Sequence, residues 1–207
     1  MGFYDDKILP RLVEKTCGMP GMEKLRARAC APLSGDIVEI GFGSGLNVAC
    51  YGDRVTSVTA VEPADLAWAR AQERVASSPI PISRGGLDGQ SLPFDDDVFD
   101  GALSTFTLCT VPELPPVLAE LARVVRPGGR LAFLEHGLAP GASVRRIQRL
   151  IDPVERLAAG GCELTRDVPA ALAAAGWEVA ELDQFYTRAA PKPWGWFSLG
   201  YAVNSGE

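Results

Sequence analysis

Histidine is nearly absent from this 207-residue chain, which holds only His136. The five cysteines (Cys17, Cys30, Cys50, Cys109, Cys162) are scattered and never fall into a Cys-x-x-Cys spacing. Neither a zinc motif nor a disulfide framework is expected, and no metal ligand set is assigned. Basic residues are also in the minority. Twenty Lys and Arg against 26 Asp and Glu leave a formal charge of −6, which argues against a general grip on nucleic-acid phosphates. The one basic cluster, spanning residues 145–149, reads as a solvated helix face. No apolar run reaches the length of a membrane-spanning helix. The opening residues carry Asp5, Asp6 and Lys7 instead of the apolar stretch of a leader peptide. A reduced, cytoplasmic setting without stable membrane insertion is the default expectation. There is no internal repeat and no low-complexity linker, and the length fits a single domain, residues 1–207.

What the chain does have is an alternation of short β-branched runs with helical patterns. Residues 36–40 and 55–61 read as buried strands, joined by a glycine turn and a short helix over 46–51. A helix over 64–76 follows, with Pro63 near its start, and then a weak strand at 80–83. Residues 98–104 form a fourth strand. Residues 113–125 form a helix that stops before Pro127-Gly128-Gly129, and 130–135 a fifth strand. A helix over 144–158 contains Pro153, which kinks or divides it. The last helix, 167–175, ends at Gly176. Segments 177–185 and 196–203 lack a crossover helix between them and are expected to pair antiparallel. The pattern predicts an α/β fold with a seven-stranded, mostly parallel sheet, an antiparallel last strand and helices on both faces. Within it, residues 1–34 form a helical cap, 35–136 a cofactor-binding core, and 137–207 the substrate side.

The chemistry gathers at the first strand-to-helix turn, Glu39-Ile40-Gly41-Phe42-Gly43-Ser44-Gly45. Glycines there let the backbone turn sharply and approach a ligand closely, and in a doubly wound sheet this is where a nucleotide lies. Leu46 breaks the dinucleotide pattern Gly-x-Gly-x-x-Gly, so the ligand has no pyrophosphate to cradle. Glu62 ends the second strand, where an acidic side chain accepts both ribose hydroxyls. The plainer alternative is a carboxylate favoured by the following helix dipole.

With Gln90-Ser91-Leu92-Pro93-Phe94, Phe99-Asp100 and Arg126-Pro127-Gly128-Gly129, these segments resemble the class I S-adenosylmethionine-dependent methyltransferases. Within them the likeness is to the methyltransferase type 11 branch, which includes the ubiquinone/menaquinone-biosynthesis C-methyltransferases. The likeness covers about residues 36–136. It implies a Rossmann-like fold with S-adenosylmethionine as cofactor, S-adenosylhomocysteine as its product and a small-molecule acceptor. It also implies roles. Glu39 belongs to the cofactor loop, and Gly41, Gly43 and Gly45 line the methionine and ribose portions. Glu62 takes the ribose, Pro63 the adenine face, and Asp88, before Gly89, the adenine amino group. Gln90 stands where the family usually has glutamate. Thr105 and Phe106 lie near the sulfonium. The Arg126–Gly129 turn is structural.

A narrower likeness is to the thiol and alkyl methyltransferase-like group. It rests on Leu108-Cys109-Thr110-Val111, Phe133-Leu134-Glu135-His136 and Gly161-Cys162-Glu163-Leu164-Thr165-Arg166, with Phe3-Tyr4-Asp5 and Ile8-Leu9-Pro10 at the start. A thiol acceptor is the leading implication. A quinone precursor or lipid is the alternative, and a cofactor-binding protein without turnover is a third. His136, at the end of the fifth strand, is the candidate acid/base residue, against a structural histidine holding Glu135 or the next loop. Cys109 and Cys162 read as small buried apolar residues. Arg166 either holds an anionic acceptor or faces solvent, and the aromatics Trp194, Trp196, Phe197 and Tyr201 read as core.

Overall fold

The computed structural model describes residues 9–206, so the expectations at Phe3-Tyr4-Asp5 and Ile8 lie outside the described residues. Two helices, α1 (Leu9–Cys17) and α2 (Met22–Cys30), precede β1 (Gly35–Ile40), β2 (Val55–Val61), α3 (Asp65–Ala76), β3 (Ile82–Gly86) and β4 (Phe99–Thr105). Then come α4 (Leu114–Val124), β5 (Val125–His136), α5 (Ala142–Ala158), α6 (Val168–Ala174), β6 (Trp177–Tyr186) and β7 (Trp196–Asn204). The seven strands lie in the order β3-β2-β1-β4-β5-β7-β6. β7 alone runs antiparallel to its neighbours β5 and β6. This is the expected α/β sheet.

Strand alternation splits the core in two. Val38, Ile40, Ala102, Leu131 and Phe133 face α4 and α6, where they meet Leu118, Leu121 and Leu172. Ile37, Leu103, Ala132 and Leu134 face the other way, toward Met22, Ala29 and Leu33. Both faces are therefore apolar along the central strands, as a sheet covered on both sides requires.

Three expectations need adjustment. Residues 46–51 form no α-helix, only a single 3₁₀ turn at Val48–Cys50. The segment is too short to nucleate a helix, and its Asn47 side chain is drawn inward to Glu39 and Thr105. The fifth strand starts early, at Val125, because Val125 pairs with Phe99 and Arg130 with Gly101 while the residues between bulge out. α5 runs unbroken through Pro153. It is anchored by polar side chains: Gln148 bonds Ala139 N, Gly137 O and Pro193 O, and Asp152 accepts from Leu164 N and Thr165 Oγ1. Its apolar residues Leu150, Val154 and Leu157 face outward. Among the described residues no helix is long and apolar enough to cross a membrane.

Candidate active site

β1 and β4 are neighbours although β2 and β3 lie between them in sequence, so the chain changes direction across the sheet at this point. Open α/β sheets bind ligands at such switch points. A cleft of about 390 Å³ opens there, lined by Gly41, Gly43, Glu62, Pro63, Asp88, Gly89, Thr105 and Phe106, among others. Gly41 has φ +66°, and a Cβ on it would lie 2.0 Å from Thr107 Oγ1, so only glycine fits. The Glu62 carboxylate accepts from Gly43 N and from Ala64 N, both at 2.7 Å. Burial raises its pKa, opposed by those two N–H bonds.

On the floor of the cleft sits Arg26, 4% exposed. Its Nη1 donates to Asn47 Oδ1 and Thr105 Oγ1, both at 2.8 Å, and Nη2 to Cys17 O. These acceptors are all neutral, and Nε has no partner. A buried cation without a bonded carboxylate is costly and fits an anionic ligand group. Asn47 also donates to Glu39, as does the Tyr51 hydroxyl. Burial nonetheless pushes the Glu39 carboxyl up to about 7.

A second cavity, about 480 Å³, adjoins the first. Phe106, Val13, Cys17 and Thr110 line both. Phe106 has φ +57°, and its ring packs against His136 and Phe197 at 5.0 and 5.3 Å. In the second cavity Cys109, Cys162 and His136 come together. The sulfurs are 3.9 Å apart, and His136 Nδ1 lies 3.7 Å from Cys162 Sγ and 4.0 Å from Cys109 Sγ. The contacts with Cys109 and His136 draw the Cys162 thiol down. The contact with Cys162, together with burial, pushes the Cys109 thiol up.

A family profile described as "Methyltransferase domain" matches residues 38–133. Residues 38–133 are a methyltransferase domain of the class I, S-adenosylmethionine-dependent kind. Thiol S-methyltransferase TMT1B of Rattus norvegicus is 30% identical over 173 residues, covering 79% of this chain and 66% of that protein. Phosphatidylethanolamine N-methyltransferase of Cereibacter sphaeroides is 34% identical over 120 residues, 55% of this chain and 58% of its own. The chain thus spans less than two thirds of the length of these two relatives, 58% of one and 66% of the other. In fold, it matches geranyl diphosphate C-methyltransferase from Streptomyces coelicolor, a structure holding S-adenosylhomocysteine, with a TM-score of 0.65. That match is 14% identical and covers 92% of this chain and 86% of the other.

Eight of the eleven residues assigned to the cofactor line the cleft, and three do not. Glu39 is one. The two-residue period of β1 puts it on the Ile37 face, away from the cleft, and its carboxylate holds Asn47 and Tyr51 instead. Gly45 is the second; it packs against Ala71 of α3. Gln90 is the third, and its backbone N–H caps Asp88 Oδ1. Arg166 neither faces solvent nor enters a cavity: Nη1 braces Leu108 O and Val111 O, and Nη2 pairs with Glu163. The cysteines scattered along the sequence are not all apart in space. Cys109 and Cys162 are buried, yet they converge on the single histidine in a group able to hold a metal ion. Sequence spacing hides this, because the loop after β4, the end of β5 and the α5–α6 loop meet only in space. Arg26 escaped notice as well. Its signal was an arginine sharing one helix face with Met22, Ala29 and Cys30, all buried.

Proposed function

We propose that this protein transfers a methyl group from S-adenosylmethionine to a small-molecule thiol, with the donor in the first cavity and the acceptor in the second. The observation that carries this reading is the direct junction of the two cavities at Phe106. In support, the thiol S-methyltransferase relative aligns across most of the chain. The second cavity is walled by Leu12, Val13, Met19, Met22, Trp194 and Phe197, which suits an apolar thiol.

The residues fit the cofactor. Glu62 would accept from the ribose hydroxyls, Arg26, a cation bonded only to neutral acceptors, would face the methionine carboxylate, and Pro63 and Asp88 would border the adenine. The sulfonium makes its methyl group electrophilic, so the protein's own task is alignment, and orientation of this kind can supply roughly 7–11 kcal/mol. Glu135 fixes the turn that aims Phe106 and Cys109, by accepting from Thr107 N, Leu108 N and Cys109 N. His136 borders the acceptor cavity with Nδ1 turned toward two thiols.

The test is formation of S-adenosylhomocysteine with separate panels of alkyl and aryl thiols, quinols and phosphatidylethanolamine vesicles. Turnover with thiols is expected. Turnover confined to quinols or lipid would replace this reading with the alternative that the apolar walls also favour. Tight cofactor binding with no transfer to any panel would favour a binding protein.

A further inference from the structure

We infer that Cys109, His136 and Cys162 form a zinc site whose fourth position faces the acceptor cavity and takes the acceptor as a thiolate. The catalytic half of this inference rests on the thiol reading above; the site itself does not.

The spacing supports it first. With Zn–S near 2.3 Å and Zn–N near 2.0–2.1 Å, a tetrahedral ion sets its ligands about 3.8 Å apart for S···S and about 3.6 Å for S···N. The three distances here are 3.9, 3.7 and 4.0 Å. Closing on an ion would need shifts of a few tenths of an ångström. A disulfide would instead need the sulfurs to approach to about 2.0 Å and would leave the imidazole without a purpose. Two thiolates and an imidazole form a donor set that selects zinc over hard cations. Three protein ligands with one open position is the arrangement of catalytic rather than structural zinc.

The scaffold supports it second, because the loops carrying the ligands are bound to one another. Glu163 N donates to Cys109 O at 2.8 Å. Glu135 Oε2 accepts from Cys109 N. Arg166 clips Leu108 and Val111 to Glu163. Gly161, with φ +96°, lies so close that a Cβ would sit 2.6 Å from Thr110 O, so the two cysteine loops can meet only through a glycine. Bracing of this kind fixes ligand direction before a metal arrives. All three ligand residues line the 480 Å³ cavity, which leaves the open vertex on the acceptor side.

The chemistry balances. A zinc-bound hydroxide takes the proton of the incoming thiol and departs as water, and the thiolate replaces it on the ion. The thiolate sulfur then attacks the methyl carbon. A new C–S bond forms, the sulfonium C–S bond breaks, and its electron pair stays on the sulfur of S-adenosylhomocysteine. The neutral thioether binds zinc poorly and leaves, and water rebinds and releases a proton to solvent. Zinc with three thiolates and one imidazole carries a net negative charge facing the positive sulfonium, so the two reactants attract.

The test uses the full chain, stripped with a chelator under reducing conditions and titrated with Co²⁺. Stoichiometric binding, with a strong thiolate-to-cobalt absorption band and tetrahedral visible bands, is expected. Those visible bands should shift when a small alkanethiol is added. Cys109→Ser and Cys162→Ser should lose the absorption while binding S-adenosylmethionine as the parent does, which confirms that they fold. Thiol turnover should fall at least about tenfold on stripping and return with Zn²⁺. Absence of the absorption band in the parent protein, or its persistence in both folded serine variants, overturns the site. Stripped protein that methylates thiols at the zinc-loaded rate overturns the catalytic role and leaves the thiol reading intact. Cobalt binding in a protein that methylates no thiol has the reverse meaning: the thiol reading and the catalytic role fail, and the site stands.

Discussion

Replacing Glu135 by glutamine should destabilise the fold by about 2–4 kcal/mol, far more than a one-atom exchange suggests. The carboxylate is fully buried. Oε1 accepts from Ser104 Oγ at 2.6 Å and from Thr107 N and Leu108 N at 3.1 Å, and Oε2 accepts from Cys109 N at 3.2 Å. Glutamine can place its carbonyl at the Oε1 position and keep three donors. Each bond then loses charge assistance worth about 1 kcal/mol, partly offset because a neutral amide is easier to bury. The amide nitrogen must then face the Cys109 N–H, donor against donor, and one orphaned buried N–H costs about 1–3 kcal/mol. Glu135→Ala strands all four donors and should cost more. Urea unfolding with an unchanged slope measures the loss. A difference below about 0.5 kcal/mol would refute the reasoning, since the turn would then hold itself without the carboxylate. The folded fraction of Glu135→Gln should also bind S-adenosylmethionine more weakly, because the same turn supplies Phe106 and Thr107 to the cleft.

Glu62→Gln should weaken S-adenosylmethionine binding roughly 10–100-fold by calorimetry, the worth of hydrogen bonds to a charged group. Because burial raises the Glu62 pKa, the parent's affinity should begin to fall on acidification above the ordinary carboxylate range, while the variant's stays flat; parallel profiles would remove Glu62 from the site. Arg26→Met should weaken S-adenosylmethionine far more than methylthioadenosine, which lacks the amino-acid carboxylate, and equal losses for the two would show that Arg26 does not hold that group. Glu39 ionises near 7 in the folded chain against an ordinary 4.5, so the folded state retains a proton that the unfolded chain gives up. Stability should decline as pH rises from about 4.5 to 7, by up to about 3 kcal/mol, and level off above; a Glu39→Gln unfolding series with the same slope would contradict this.

The sheet was legible because its signal is local. β1 and β2 carry β-branched residues (Ile37, Val38, Ile40; Val55, Val58, Val61), and β4 and β5 hold short apolar stretches bounded by turn residues. The cleft at the strand ends was legible for a related reason. Gly41, Gly43, Glu62 and Thr105 all lie at or just beyond strand ends, and parallel strands bring those ends together. Glu39 lies apart from the cleft because adjacency along the chain is not adjacency in space; one residue before Ile40, a side chain points to the opposite face of the sheet. Arg26 and Cys162 were harder. Both belong to segments outside the strand core, and their neighbours are chosen by packing that no local pattern records. The pairing of Cys109 with His136 lies between these cases. β4 and β5 are adjacent and parallel, so residues just past their ends must be close, whereas Cys162 arrives from the far side of α5.

Phe106 joins these observations. A non-glycine residue at φ +57° is held there against a local cost of order 1 kcal/mol or more, so its surroundings must impose it. They do. Its N–H donates to Leu134 O at 2.8 Å, extending the β4–β5 pairing by one residue, while the next three residues are drawn toward Glu135. The chain can meet both demands only by turning abruptly at residue 106. The ring is thereby directed into the wall shared by the two cavities, under Arg26 at 5.4 Å and beside His136 at 5.0 Å. Glu135 thus sets two things through one turn: the partition between the cavities, and the position of Cys109. Donor and acceptor would then be registered to each other by a single buried carboxylate, and a disturbance of that turn should move both halves of the site together.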